Sequence, residues 1–356
     1  GTRLAIPMVS FIEPAGARRV TVATDVYFSL LFSGNAVEWT YPARVGLENH
    51  FERRTVAVIR HEGSPDAALA QFFDTVLREV RPGPAWLHDI AMVDYDYLSD
   101  SGQGWFRDID ALAAALPKAD RRKVFLCLHG WYDFLGRYCF DARTKILDRE
   151  WIAFSNYEQV KNSGGLMNVE GDQVDVRFAN CKPVKLNLAE VHRRLQYARS
   201  RGFRAGLYFA DGVNAGEGLP DFSTNRVLQW GGWQGPDSKG KSYLQNPLHP
   251  DVRTFFLDYT TALLAEFGPD LDALVWDETF HVPPGSPGSD AFPGYADRAM
   301  MRLTRDITGL VEHYNRKHRR QIAFLTSDCL GVFGNDQKAP YALVAHGTYQ
   351  DSWCKP

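Results

Sequence analysis

The sequence predicts an α/β protein, built as a (β/α)8 barrel of the TIM type. From about residue 85 onward, short apolar runs of strand length alternate with helical segments, and no Gly-rich turn follows any run. Strands buried on both faces give continuous apolar runs, and parallel sheets bury their strands in this way. The alternation therefore predicts a parallel sheet, and the missing Gly-rich turn counts against a dinucleotide-binding fold.

Six apolar runs are the predicted barrel strands. In chain order they are His88–Val93, Val124–Leu128, Arg204–Phe209, Ala273–Trp276, Ile322–Leu325 and Tyr341–Ala345. A TIM-type barrel has eight strands, so two are missing from this count. Either the barrel is incomplete at its C-terminal end, or residues are absent, or strands lie hidden in the insertion from Gly130 to Lys185, which is long for a structureless loop.

Three predicted helices between these runs carry recognisable ends. Asn187 to Gly202 opens with a capping-box-like Asn-Leu-Ala-Glu. Pro250 to Gly268 has Pro in its first turn and Gly just past its end. Gly294 to His318 is a long amphipathic stretch.

The N-terminal residues follow a different pattern. Apolar and polar residues alternate, as in Arg19–Thr24, and turn signals interrupt them, which predicts antiparallel strands. A helix is expected from about Ser64 to Val80, ended by Arg81-Pro82-Gly83-Pro84. We therefore expect a β-rich segment over 1–62, a connecting helix and linker over 63–84, and the barrel over 85–356.

Composition restricts the class of partner. Of 356 residues, 45% are hydrophobic and 23% charged, as in a soluble globular protein, and the formal net charge is -3. This charge provides no basic surface for nucleic acid or an anionic membrane, and no apolar run is long enough to span a bilayer. A neutral or weakly charged partner fits better.

The sequence carries few signals for localisation or for a cofactor. The chain opens Gly1-Thr2-Arg3 without an apolar signal region, so localisation stays open, with a secreted or periplasmic protein whose signal peptide is absent from this chain as one alternative. Five widely spaced cysteines without a C-x-x-C pair indicate neither a zinc site nor a redox motif. No cofactor is expected.

Polar and aromatic residues follow or end most of the predicted strands. The carboxyl ends of barrel strands form the active-site mouth, so these residues are candidates for substrate binding. They are Asp94, Asp96, His129, Trp131, Tyr132, Asp133, Asp211, Trp276, Glu278, His281, Asp328, His346, Tyr349 and Trp353. Any single Asp after a strand could equally cap the next helix, but several carboxylates converging on one mouth favour catalysis.

Asp277 is the strongest catalytic candidate. It directly follows Ala-Leu-Val-Trp, and the loop signal His281–Gly285 comes soon after it, so helix capping explains it poorly. Glycoside hydrolysis needs two carboxyl groups: one protonates the leaving oxygen, and the other attacks the anomeric carbon or activates water. Strand ends of a barrel can supply that pair.

The passage from Tyr243 to Glu278 carries a family resemblance. Tyr243–Arg253, the helix after it and Asp272–Glu278 resemble the retaining α-glycosidase superfamily, which includes α-galactosidases and α-glucosidases. The resemblance implies Asp277 as the nucleophile and Asp351, after the sixth strand, as the general acid/base. It also implies that the N-terminal strands are part of a β-sandwich. The family's Lys before Trp-Asp and its Cys-rich loops are not evident here, so the sugar is not identified.

The leading interpretation is a glycoside hydrolase, specifically an exo-acting retaining α-glycosidase acting on an oligosaccharide or glycoside. Four aromatic residues are expected to line the pocket and hold the sugar, namely Trp131, Tyr132, Trp276 and Trp353. Three alternatives remain open: a barrel hydrolase using Glu278 as the key acid, a non-catalytic carbohydrate-binding barrel, and a metal hydrolase. The last would draw its ligands from Asp94, Asp96, His129, Asp277 and His281, without any H-x-H or H-E-x-x-H spacing.

Overall fold

The computed structural model describes most of the predicted barrel strands and helices, and parts of the N-terminal region. The described residues are 2–3, 8–12, 19–24, 30–33, 36–39, 56–62, 64, 66–68, 70–71, 81–96, 98, 100–133, 137–153, 166–167, 173–174, 184–215, 243–277, 279, 294, 296–327 and 344–349.

The N-terminal part contains two small antiparallel sheets. Its strands are β1 (Thr2–Arg3), β2 (Met8–Ile12), β3 (Arg19–Thr24), β4 (Leu30–Ser33), β5 (Ala36–Trp39) and β6 (Val56–His61). One sheet has the order β1-β4-β5 and the other the order β2-β3-β6. The alternation that predicted antiparallel strands is therefore confirmed for these segments. Residues 66–68 and 70–71 are helical, where the connecting helix was expected to begin.

Strands and helices alternate after residue 84. The elements are β7 (Met92–Asp96), α1 (Gly104–Ala115), β8 (Val124–Leu128), β9 (Phe140–Asp141), β10 (Ile146–Leu147), β11 (Glu150–Ile152), β12 (Leu166–Met167), β13 (Gln173–Val174), β14 (Lys185–Asn187), α2 (Leu188–Ser200), β15 (Arg204–Asp211), β16 (Asn214–Ala215), β17 (Tyr243–Leu244), α3 (Pro250–Phe267), β18 (Ala273–Asp277), α4 (Ala296–His318), β19 (Ala323–Ser327) and β20 (Gly347–Tyr349). Short 3-10 helices lie at Ala85–Asp89, Asp100–Gly102 and Arg121–Lys123.

A six-stranded parallel sheet is the centre of this region. Its order is β7-β8-β15-β18-β19-β20, so each strand pairs with the next barrel strand along the chain. Six consecutive parallel strands connected in this way form an incomplete (β/α) barrel, which confirms the predicted fold class. Within its described residues, the insertion after β8 holds the short antiparallel pairs β9 with β10, β11 with β14, and β12 with β13. These do not supply the missing barrel strands, which was one of the three alternatives.

Two predicted strands are displaced. The first begins at Met92 rather than His88, because Ala85–Asp89 form a 3-10 helix. The sixth was predicted at Tyr341–Ala345, and this was wrong: β20 is Gly347–Tyr349, and the described residues 344–346 precede it. A strand of three residues beginning with Gly has no apolar run that could identify it.

The helix ends match their sequence signals. The Asn187 side chain accepts a hydrogen bond from the Glu190 N–H at 2.8 Å, which is the N-cap expected for α2. α3 has Pro250 in its first turn and ends at Gly268. The start of α3 at Pro250 lies within the segment Tyr243–Arg253, which resembles the α-glycosidases.

The outer face of the sheet packs against α3 through aromatic rings. The Trp276 ring of β18 stacks on Phe256 with centroids 5.4 Å apart, and Phe209 of β15 stacks on Tyr259 at 5.1 Å. All four side chains are buried. This layer determines which face of each strand points away from the helices.

Candidate active site

Side-chain alternation places Asp277 on the inner face of the sheet. Because Trp276 packs against α3, its neighbours Val275 and Asp277 point to the opposite face. Paired residues of parallel strands share a face, so Tyr208, paired with Val275, is also on the inner face. Cys127 joins them, since it pairs with Gly206, two residues before Tyr208.

The candidate nucleophile is anchored through its backbone. The Asp277 carbonyl accepts a hydrogen bond from the Gly212 N–H at 2.7 Å, and the Trp276 indole donates to the Gly212 carbonyl. The carboxyl end of β18 is thus tied to the turn that follows β15. The Asp277 residue is half-buried. A carboxylate held at a strand end of this kind is pre-positioned for attack on a bound substrate.

A histidine and three tyrosines form a cluster on the inner face near the carboxyl ends of the strands. The His129 ring lies 3.8 Å from the Tyr208 ring, 5.7 Å from Tyr95 and 5.9 Å from Tyr132, measured between centroids. Tyr132 also stacks on Tyr208 at 5.2 Å. Burial lowers the pKa of His129 well below its usual value, so the imidazole is neutral and can both donate and accept a hydrogen bond.

The amino-terminal end of the inner face is filled by packed side chains. Trp86 stacks on Phe125 with centroids 6.4 Å apart, and the Arg204 guanidinium lies 4.9 Å from the Trp86 ring centroid. The Trp86 indole donates to the Gln321 carbonyl, before β19. Between this floor and Asp277 lies Cys127, whose pKa is raised by burial and then by the Asp277 and Asp94 carboxylates, so the thiol stays protonated.

Asp94 does not lie at the predicted mouth. It occupies the middle of β7, and its neighbour Tyr95 contacts His129 on the inner face, so Asp94 points to the outer face. There, burial and the nearby Asp108 of α1 raise the pKa of Asp94. The sequence prediction failed because β7 extends to Asp96, which leaves Asp94 inside the strand.

This placement predicts that Asp94→Asn stabilises the protein. The folded-state pKa is above the unfolded one, so between the two values the native state binds more protons and the free energy of unfolding falls as pH rises. At neutral pH the charged carboxylate is a cost that Asn removes, whereas below pH 3.8 the variant and wild type should converge. Chemical denaturation at both pH values measures the difference. A less stable variant at neutral pH would contradict a raised pKa for Asp94.

Two of the predicted sugar-binding aromatics are core side chains. Trp276 faces α3, and Trp131 packs edge-on against Phe267 of α3 at 5.8 Å; both are 0% exposed. The Trp131 indole donates to the Tyr208 carbonyl at 2.8 Å. Their expected place in the pocket is therefore wrong, because adjacent residues at a strand end point to opposite faces. Tyr132 is also fully buried, but it belongs to the inner cluster.

His346 lies at the opposite end of the sheet from the expected mouth. It precedes β20, and its N–H donates to the Phe324 carbonyl while its Nδ1 accepts from the Phe324 N–H at 3.0 Å. Its Nε2 lies 3.7 Å from the Glu312 carboxylate of α4. Phe324 is near the start of β19, so His346 braces the amino-terminal end. Its predicted substrate contact is wrong because the sixth strand begins after it.

Asp133 braces the loop that follows β8. Its carboxylate accepts hydrogen bonds from Arg137 at 2.6 Å and from the Cys139 N–H at 2.7 Å. Arg137 also contacts Asp148 at 2.6 Å. These contacts hold the Asp133 side chain, which was predicted to bind substrate, within its own loop.

The remaining predicted site residues have no described side chains. The backbones of Asp96, Asp211 and Tyr349 end β7, β15 and β20, and Asp211 pairs with Asp277. Glu278, His281, Asp328, Asp351 and Trp353 lie outside the described residues. Sequence reasoning missed Tyr95, Cys127 and Tyr208. They lie inside the strands, one residue before the ends of β7 and β8 and three residues before the end of β15, whereas the sequence prediction considered mainly residues that follow the apolar runs.

The described ranges contain no group of three or more His, Cys, Asp or Glu side chains placed to hold a metal ion. No helix among the described residues has the length and hydropathy needed to cross a membrane.

The buried His129 predicts a specific acid sensitivity. Its folded-state pKa is depressed, so the unfolded chain binds the proton more readily, and the free energy of unfolding should fall as pH drops below 6.5. His129→Gln keeps a polar side chain but removes this proton-binding difference, so its loss of stability from pH 7.5 to about pH 5 should be smaller than in the wild type. Urea unfolding at the two pH values provides the comparison. Equal losses in both proteins would show that His129 is not buried in its neutral form.

Comparisons with known proteins show the fold. No family model matches the chain, and no curated protein matches it. Among solved structures, it is similar to an α-N-acetylgalactosaminidase from Bifidobacterium bifidum in complex with GalNAc, with 12% identity, a TM-score of 0.51, and coverage of 95% of this chain and 52% of that one. It is also similar to the GH36 α-galactosidase AgaB from Geobacillus stearothermophilus, with 12% identity, a TM-score of 0.50, and coverage of 97% and 44%.

These likenesses agree with the sequence resemblance at the level of fold. Both neighbours are named as glycosidases, an α-N-acetylgalactosaminidase and an α-galactosidase, and the chain spans about half of the length of each. The barrel fold expected from the passage between Tyr243 and Glu278 is confirmed.

Proposed function

We propose that this chain contains the catalytic barrel of a glycoside hydrolase, an exo-acting retaining α-glycosidase with Asp277 as its nucleophile. The observation that carries the proposal is the place of Asp277. It ends the fourth strand of a parallel barrel sheet, on the inner face, beside a cluster of His129 and tyrosine rings. Active sites of such barrels lie at this end of the strands. The names of the two solved neighbours support the same reaction class.

The proposed reaction has two steps. The Asp277 carboxylate attacks the anomeric carbon while an acid protonates the departing oxygen, which leaves a covalent glycosyl-enzyme intermediate. Water then attacks that carbon, assisted by the same group acting as a base, and the anomeric configuration is retained. We assign the acid/base role to Asp351 because of the family resemblance and because it comes two residues after β20 ends at Tyr349.

The inner cluster is suited to a neutral sugar. Tyrosine rings present apolar faces to the C–H groups of a pyranose, and a neutral imidazole can hydrogen-bond to a hydroxyl group in either direction. We therefore propose that the half-buried Tyr95 contacts the sugar that is cleaved, in an oligosaccharide or simple glycoside, and that the buried His129 and Tyr208 form the wall behind it. The GalNAc complex of a neighbour makes galactosides and N-acetylgalactosaminides the first substrates to test.

The same layout motivates a proposed division of the chain. Two antiparallel sheets precede the barrel strands, in keeping with a β-sandwich portion over 1–62, a connecting helix and linker over 63–84, and the catalytic barrel over 85–356.

The test uses nitrophenyl α- and β-glycosides of galactose, N-acetylgalactosamine and glucose. We expect nitrophenol release from at least one α-glycoside and none from the β-glycosides. Proton NMR of the first product should show the α anomer, and initial formation of the β anomer would overturn the retaining mechanism. Saccharide binding without release from any substrate would instead identify a carbohydrate-binding barrel.

A further inference from the structure

A cavity of about 470 Å³ that is wide open to solvent lies on the loop region after β8, apart from the inner face of the sheet. This volume is within the range of small-molecule sites. Its lining includes Arg137, Asp148, Arg149, Glu150, Trp151 and Ile152. Nothing in the proposed reaction uses these residues.

The cavity walls are held in place by ion pairs and strand pairing. Arg137 bridges Asp133 and Asp148, with both contacts at 2.6 Å. On the other side, β11 carries Glu150 and Ile152 and pairs with β14, where Lys185 contacts Glu150 at 2.9 Å. Binding to such a wall requires little ordering of side chains, which lowers its entropic cost.

The lining combines charges of both signs with apolar surface. Arg149 and Glu150 are exposed and supply donors and acceptors, and Ile152, which shares a face of β11 with Glu150, is 51% exposed. Because carboxylates and guanidinium groups are both present, the wall does not select an anion or a cation. Hydroxyl groups can donate to Glu150 and accept from Arg149, while the C–H face of a ring can lie on Ile152.

The cavity is connected to the candidate active site by two indole hydrogen bonds. The Trp151 indole donates to the Trp131 carbonyl, and the Trp131 indole donates to the Tyr208 carbonyl. Tyr208 belongs to the inner cluster, so one buried tryptophan separates the cavity floor from that cluster.

We propose that this cavity is a second, non-catalytic site that binds a neutral saccharide, beside the site where hydrolysis is proposed. Its function, holding carbohydrate close to the barrel, rests on the proposed function, but saccharide binding in the cavity can be measured independently of hydrolysis.

The experiment observes the cavity directly through isoleucine methyl groups. The full chain carrying Asp277→Asn, with 13C-labelled isoleucine δ1 methyls, is titrated with maltotriose and with raffinose. We expect the Ile152 methyl signal to shift in a saturable way with at least one trisaccharide. Ile146 is the matched control, because it lies in the same loop region, is 63% exposed and does not line the cavity. No saturable Ile152 shift, or an equal shift at Ile146, would overturn the proposal.

A variant separates the two sites. Arg149→Ala should weaken the binding seen at Ile152 by about tenfold or more, which corresponds to about 1.4 kcal/mol. In a chain that retains Asp277, the same change should leave release from nitrophenyl monosaccharides unchanged. An unaltered Ile152 titration would refute the role of Arg149 in binding the saccharide. Hydrolysis without any Ile152 response would overturn the second site alone. An Ile152 response without hydrolysis would overturn the proposed function alone.

Discussion

Asp277→Asn should lower kcat/KM by several orders of magnitude while leaving the fold intact. Asn has nearly the same shape but cannot form the glycosyl ester, because its amide is a poor nucleophile. The backbone contact from the Gly212 N–H to the Asp277 carbonyl does not involve the side chain, so the strand end should keep its position. Steady-state kinetics on the preferred nitrophenyl α-glycoside and circular dichroism provide the two measurements.

Asp94→Asn is the matched control for this prediction. It makes the same chemical change in the same parallel sheet, but on the outer face, and we expect it to retain turnover. If Asp277→Asn kept more than about a tenth of wild-type activity, the nucleophile would have to be another residue, since loss of a nucleophile costs orders of magnitude.

Asp351→Ala should impair hydrolysis according to the leaving group. A natural glycoside needs its departing oxygen protonated, whereas a nitrophenolate departs readily without an acid. The loss in kcat/KM should therefore be much larger for raffinose or a simple alkyl glycoside than for a nitrophenyl glycoside. Added azide should restore turnover of the nitrophenyl substrate and yield an α-glycosyl azide, because azide attacks the intermediate without needing a general base.

Equal losses on both substrate classes, without an azide effect, would remove Asp351 from the acid/base role. Asp328, Glu278 or a residue outside this chain would then be the candidates. The Asp277→Asn variant serves as the reference here: it cannot form the intermediate, so any azide product would arise by direct attack on the α-glycoside and have the inverted β configuration.

Local patterns were sufficient to identify the barrel. Val124–Leu128 and Ala273–Trp276 are apolar throughout because both faces of these strands are covered, and the sequence located them to within a residue. The ends of α2 and α3 were predicted equally well, since Asn187 and Pro250 act on the backbone within one turn. The position of Asp277 at the end of β18 was predicted by the same means, because it is the first polar residue after a buried run.

The faces of the strands and their relative positions were decided only by tertiary structure. Trp131 and Trp276 are aromatic residues near strand ends, where pocket residues are expected. However, α3 covers the face to which they point. His346 was assigned to the wrong end because β20 is too short to form an apolar run. Side-chain direction reverses with each residue along a strand, so a shift of one residue exchanges core for pocket, and only the packing of helices against the sheet specifies which face is which.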